Sequence, residues 1–131
     1  MKVKLKVSLE YLTDSDLSQW VKPKNDLIIG VSNITEANEG TTISLAPSAA
    51  NIKIDITPVN GADLLYLLTT ETITVRLNAV DAVVNTVVAD RLDSSDSKYG
   101  LYLTTCSGIT SLYLSNSGST AAQVTLMYFG K

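Results

Sequence analysis

At 131 residues with a net charge of −3, the chain has room for one domain and lacks the clustered Lys and Arg that a nucleic-acid binder sets against phosphate. Charged residues make up only 18% of the chain, Ser and Thr together about a fifth, and there is no His and one Cys, which excludes histidine-based catalysis and an intrachain disulfide framework. The surface this composition predicts is neutral and rich in hydroxyls.

Val3, Leu5, Val7, Leu9 and Tyr11 recur at every second position, which is the period of a strand with one buried face. Lys2, Lys4 and Lys6 fill the intervening places and share the polar face, where lysine blunts an exposed sheet edge or docks on an acidic partner. Charge at alternate positions is incompatible with the apolar region of a signal peptide, and no run has the length of a membrane span, so the expectation is a protein made in a cytoplasm with no membrane partner. Capping residues at 13–16 followed by Leu17, Trp20 and Val21 predict a short helical segment that Pro23 ends. Residues 1–26 then form an N-terminal strand and helical arm, and 27–131 a β-sandwich, within one domain overall. Asn33, Ile34 and Thr35 match a glycosylation acceptor, which is incidental without a secretory signal.

The apolar run Leu27, Ile28, Ile29 and Val31 reads as a buried strand. Residues 42–46 form the next, closed by Pro47, and 51–57 another, with Ile52, Ile54 and Ile56 inward against Lys53 and Asp55 outward. After a turn at Asn60 and Gly61, residues 64–69 and 72–77 read as a hairpin about Thr70 and Glu71. Residues 83–89 fit a strand or the wall of a loop, 90–98 are polar, and 99–104, 109–115 and 121–129 are the final strands. Short strands at this spacing predict an all-β sandwich; a jelly roll fits the count best, although an immunoglobulin-like order has the same spacing. The segments around Tyr66 and Tyr102 share a Leu-Tyr-Leu core and both lead on to an Asn, which suggests two equivalent packing solutions rather than a repeat.

No constellation in the chain selects a reaction. Asp90, Asp93 and Asp96 stand in a Ser-rich stretch, but their spacing is not that of an EF-hand and suits a solvated loop. Asp55, Asp63, Glu71 and Asp81 fall at strand ends, turns or outward positions, so no glycosidase pair emerges, and Cys106 has no His to activate it and reads as a core filler. The expectation is a non-enzyme without cofactor or metal. Trp20 is the only Trp and packs most simply onto the sandwich, while Tyr66, Tyr102 and Tyr113 lie within strands, at core margins, subunit interfaces or a ligand platform.

The stretch from Asp63 to Arg76, Leu77 and Asn78, and the later run Tyr113, Leu114, Ser115, Asn116 leading into Ser117, Gly118 and Ser119, resemble small virion proteins of tailed bacteriophages over the C-terminal half of the chain. That resemblance implies a jelly-roll β-sandwich assembled as a homotrimer on the capsid surface, bound to the major capsid protein as a decoration or cement protein. Similar sequences also serve as tail, neck or head-fibre components, and a carbohydrate-binding sandwich module is the competing class. The N-terminal residues, with Lys2, Lys4, Lys6 and Trp20, are the part expected to reach a neighbour or the shell.

Overall fold

The computed structural model describes residues 3–7, 11–13, 16–21, 27–31, 36–56, 61–92, 97–105 and 108–130. Among them every regular element is a β-strand and every pairing is antiparallel. The chain forms two compact units, Met1–Asn33 and Ile34–Lys131.

The first unit holds β1 (Val3–Val7), β2 (Tyr11–Thr13), β3 (Asp16–Val21) and β4 (Leu27–Val31). β1 pairs with β4 and β2 with β3. Two expectations are corrected here. The segment expected to be helical is strand β3, with Trp20 opposite Leu12 and Val21 opposite Tyr11. The Asp and Ser read as helix caps serve turns equally well, and the aromatic and β-branched residues Tyr11, Thr13, Trp20 and Val21 favour a pleated ribbon. Leu27–Val31, expected to open the sandwich, pairs with Val3–Val7 instead.

The second unit contains β5 (Glu36–Leu45), β6 (Ile52–Asp55), β7 (Ala62–Thr69), β8 (Ile73–Leu77), β9 (Asn85–Val87), β10 (Arg91–Leu92), β11 (Lys98–Thr104), β12 (Ser111–Ser115) and β13 (Ala122–Gly130). They form a five-stranded sheet in the order β10-β11-β7-β13-β5 and a four-stranded sheet in the order β6-β12-β8-β9. Leu65, Leu67, Val124 and Leu126 of the larger sheet and Ile73, Val75, Leu112 and Leu114 of the smaller belong to one buried cluster, so the sheets share a core in the manner of a sandwich. Removing each such Leu, Ile or Val side chain from water is worth about 1.5–3 kcal/mol.

The hairpin expected at Thr70 is also corrected: β7 and β8 lie in different sheets. Both edges of β7 are occupied, by β11 and β13, so β8 has no edge to join. Thr70 ties the exit of β7 to β13 instead, donating its N–H to the Gln123 carbonyl at 3.1 Å and accepting the Gln123 N–H on its hydroxyl at 3.0 Å.

Candidate interaction surfaces

Period two, applied to the strand register, assigns each tyrosine to a face. Tyr66 pairs with Met127 and Leu103 on the outside of the five-stranded sheet. Tyr102 pairs with Leu67 and packs against the core. Tyr113 lies on the outside of the four-stranded sheet, between Lys53 and Arg76. The three tyrosines singled out from the sequence therefore occupy three different faces. Tyr66 and Tyr102 are not equivalent, because Leu65 and Leu67 point inward on β7 whereas Gly100 and Tyr102 take the inward places on β11.

The two outer faces differ in character. On the four-stranded sheet Tyr113 is surrounded by Lys53, Asp55, Arg76, Thr74 and Ser115, a polar set. Lys53 Nζ lies 2.8 Å from Asp55 Oδ1, and Arg76 donates to Asn51 Oδ1 at 2.7 Å. The hydrogen bond to Asp55, and then its negative charge, hold the Lys53 ammonium above the usual lysine range.

On the five-stranded sheet the outward positions of the three central strands are Tyr99, Leu101 and Leu103 on β11, Leu64, Tyr66 and Leu68 on β7, and Gln123, Thr125, Met127 and Phe129 on β13. None carries a charge. Leu101 is 52% exposed, while Leu64 is 2% exposed without belonging to the core cluster between the sheets. A sequence signal for this face was present: around Leu64–Leu68 and Leu101–Leu103 the strands are apolar at successive positions, the mark of a strand covered on both sides.

At the margin of the two sheets lies an open cleft of about 490 Å³. Its walls are Thr86, Val87 and Val88 at the end of β9, then Asp90, and across from them Tyr99, Leu101 and Tyr102 of β11. Two features bring these walls together. A Cβ on Gly100 would stand 2.8 Å from the Val88 carbonyl oxygen, so the absence of a side chain is what lets the 87–88 backbone lie on β11. The Ala89 N–H donates to Thr72 Oγ1 at 3.0 Å, which anchors the crossing from one sheet to the other. Sequence reasoning noted Asp90 and Tyr102 separately and missed Tyr99 and Leu101, since the cleft depends on non-local pairing.

Lys4 and Lys6 stand on β1 opposite Gly30 and Ile28, and Trp20 on β3. Lys2, Asp93, Asp96 and Cys106 lie outside the described residues. Among the described residues no group of three or more His, Cys, Asp or Glu side chains is placed to hold a metal, and no helix is long and apolar enough to cross a membrane. No family model, curated protein or solved structure matches the chain.

Proposed function

We propose that this protein is a non-enzymatic structural component of a tailed-bacteriophage virion, which decorates and stabilises the capsid surface as a homotrimer bound to the major capsid protein. The observation that carries the reading is the uncharged outer face of the five-stranded sheet. An uncharged face that carries Tyr66, Leu68, Met127 and Phe129, each half-buried in the single chain, can be covered by another copy without stranding a charge in the contact. The polar face around Tyr113 is suited to remain in water.

Strand order supports a jelly roll. Leaving aside the two-residue β10, the eight strands of the second unit, numbered in chain order, lie 1-8-3-6 in one sheet and 2-7-4-5 in the other. That order is the one expected of two interlocked Greek keys, which favours the jelly-roll reading. An immunoglobulin-like order keeps more consecutive strands paired within a sheet, whereas here only β8 with β9 and β10 with β11 are both consecutive and paired.

A cement protein acts by mass action: it binds the expanded shell in preference to free subunits, so that opening the shell must also break the added contacts. In this reading the Met1–Asn33 unit, with Lys2, Lys4, Lys6 and Trp20, supplies contacts to the shell, and the chain is made in the host cytoplasm before joining the virion. The test is native mass by light scattering after size exclusion. Three times the chain mass of 14.0 kDa is expected, and a monomer across the accessible concentration range would overturn the preformed trimer.

A further inference from the structure

We propose that the subunit contact of the proposed trimer extends around the β9 margin, so that a second copy of the chain covers the β8–β9 loop and the exposed side of β9. This inference rests on the trimeric reading and names the part of the chain that the neighbouring copy covers.

Among the described residues the large apolar side chains left exposed are Ile52, Val80, Val83, Val84, Val88 and Leu101. All but Ile52 belong to one margin of the second unit. Val80 and Val83 stand in the loop from β8 to β9, Val84 and Val88 flank β9, and Leu101 lines the cleft together with Val88. Val83, at 82% exposed, is the extreme case. Single exposed apolar residues need no explanation, whereas a run of them along one edge marks a surface that another molecule covers.

The loop cannot easily withdraw these side chains, because its base is tied down. Asn78, at a φ of 65°, donates its N–H to the Ser111 carbonyl at 2.9 Å. Its side chain accepts the Thr110 N–H at 2.8 Å and donates to the Gly108 carbonyl at 3.0 Å. The Ala82 N–H closes a turn on the Ala79 carbonyl at 3.2 Å, and Asn85 Nδ2 donates to the Val83 carbonyl at 3.4 Å. Valines held out in water in this way gain from burial with little ordering cost.

Chemistry and continuity select the occupant. From Leu77 to Asp90 there is no Lys or Arg, which disfavours an anionic membrane surface or a nucleic acid. Asp81 and Asp90 bracket an uncharged segment and so fall at its ends, where the rim of a contact tolerates charge, and Asp90 is already engaged within its own chain. A second copy is favoured because this margin is continuous with the uncharged outer face of the five-stranded sheet. The link is Leu101, which pairs with Leu68 on that face and lines the cleft beside Val88.

The test is sedimentation velocity of the full chain over a dilution series, with Val83→Glu and Val88→Glu beside the parent. These positions are 82% and 51% exposed, so the fold should survive and far-UV circular dichroism should match the parent. Each substitution should raise the concentration at which the trimer half-dissociates by about tenfold or more, the effect of a carboxylate trapped in the contact. Val83→Ser, which adds no charge, should weaken assembly in the same direction and decides the matter if a charged variant misfolds. Tyr113→Glu, on the polar face, should leave assembly unchanged.

If the parent is a trimer and the valine variants dissociate no more readily, the inference is overturned while the trimer stands, and the valines are left for a different protein. A parent that is monomeric at every concentration overturns the trimer and this contact together. If the valine variants dissociate while Leu68→Glu stays trimeric, the β9 margin is the contact in place of the sheet face, which upholds the inference and corrects the choice of face.

Discussion

Asn116 is fully buried, and its side-chain amide organises three segments: Nδ2 donates to the carbonyls of Leu45, Ala46 and Thr120 at 3.3, 3.2 and 2.8 Å, while Oδ1 accepts the Gly118 N–H at 3.0 Å. Asn116→Ala should therefore lower stability by about 2–3 kcal/mol in urea unfolding, because buried carbonyls lose their donor. Asn116→Asp keeps the shape but turns an acceptor toward those carbonyls, so its folded-state carboxyl pKa should rise above the unfolded value near about 3.9. The charge penalty is then absent below that value and grows as pH rises through the folded pKa, so the Asp variant should look most like the parent in acid. The Lys53–Asp55 pair follows the same sign at a different pH: a raised lysine pKa contributes at neutral pH, and that contribution disappears only as alkaline pH deprotonates Lys53. Ser48 carries φ of 59°, a left-handed conformation costly for a side chain, and Ser48→Gly should gain about 0.5–1 kcal/mol, read as a higher Tm. The sequence showed Asn116 only as the end of a strand, because its partners at Leu45 and Ala46 lie some seventy residues away.

Strand positions were legible from alternation: the segments around Leu65, Val75, Leu101, Leu112 and Val124 all became strands near the expected limits. Partnership was not legible. Most consecutive strands of the second unit switch sheets, so a short polar connector such as Thr70 and Glu71 looks like a hairpin turn while it crosses from one sheet to the other. The N-terminal ribbon was misread for a related reason: Asp and Ser before a Leu and a Trp satisfy both capping and turn patterns, and only the cross-strand partners Leu12 and Tyr11 decide between them. Gly100 is where element packing depends on one absent methyl group. Gly100→Ala should push the Val88 backbone off β11, costing about 1–3 kcal/mol and widening the cleft. Chemical denaturation measures the first effect, and the amide shifts of Thr86 and Val88 report the second.

For the molecule as a whole, the asymmetry between its two outer sheet faces is what ties the fold to the proposed role. A monomer that kept both faces in water would gain nothing from eliminating charge across three neighbouring strands, whereas a subunit contact would. The contrast was half-visible in the sequence, as successive apolar residues in two strands, but the contribution of Met127 and Phe129 to the same face emerged only with the register of β13. Leu68 lies at the centre of the face, opposite Leu101 on one side and Thr125 on the other. Leu68→Glu leaves the inward pattern of Leu65, Leu67 and Thr69 untouched, so the fold should survive, and far-UV circular dichroism should match the parent. In the proposed trimer each subunit would instead bury an unpaired carboxylate, at a cost of several kcal/mol, and each 1.4 kcal/mol is about tenfold in the dissociation constant. Light scattering should then find the variant monomeric at concentrations where the parent is three-fold heavier. Tyr113→Glu on the polar face should leave the mass unchanged. If Leu68→Glu keeps the parent's mass while Tyr113→Glu lowers it, assembly uses the four-stranded sheet, and the apolar face must be covered in some other way.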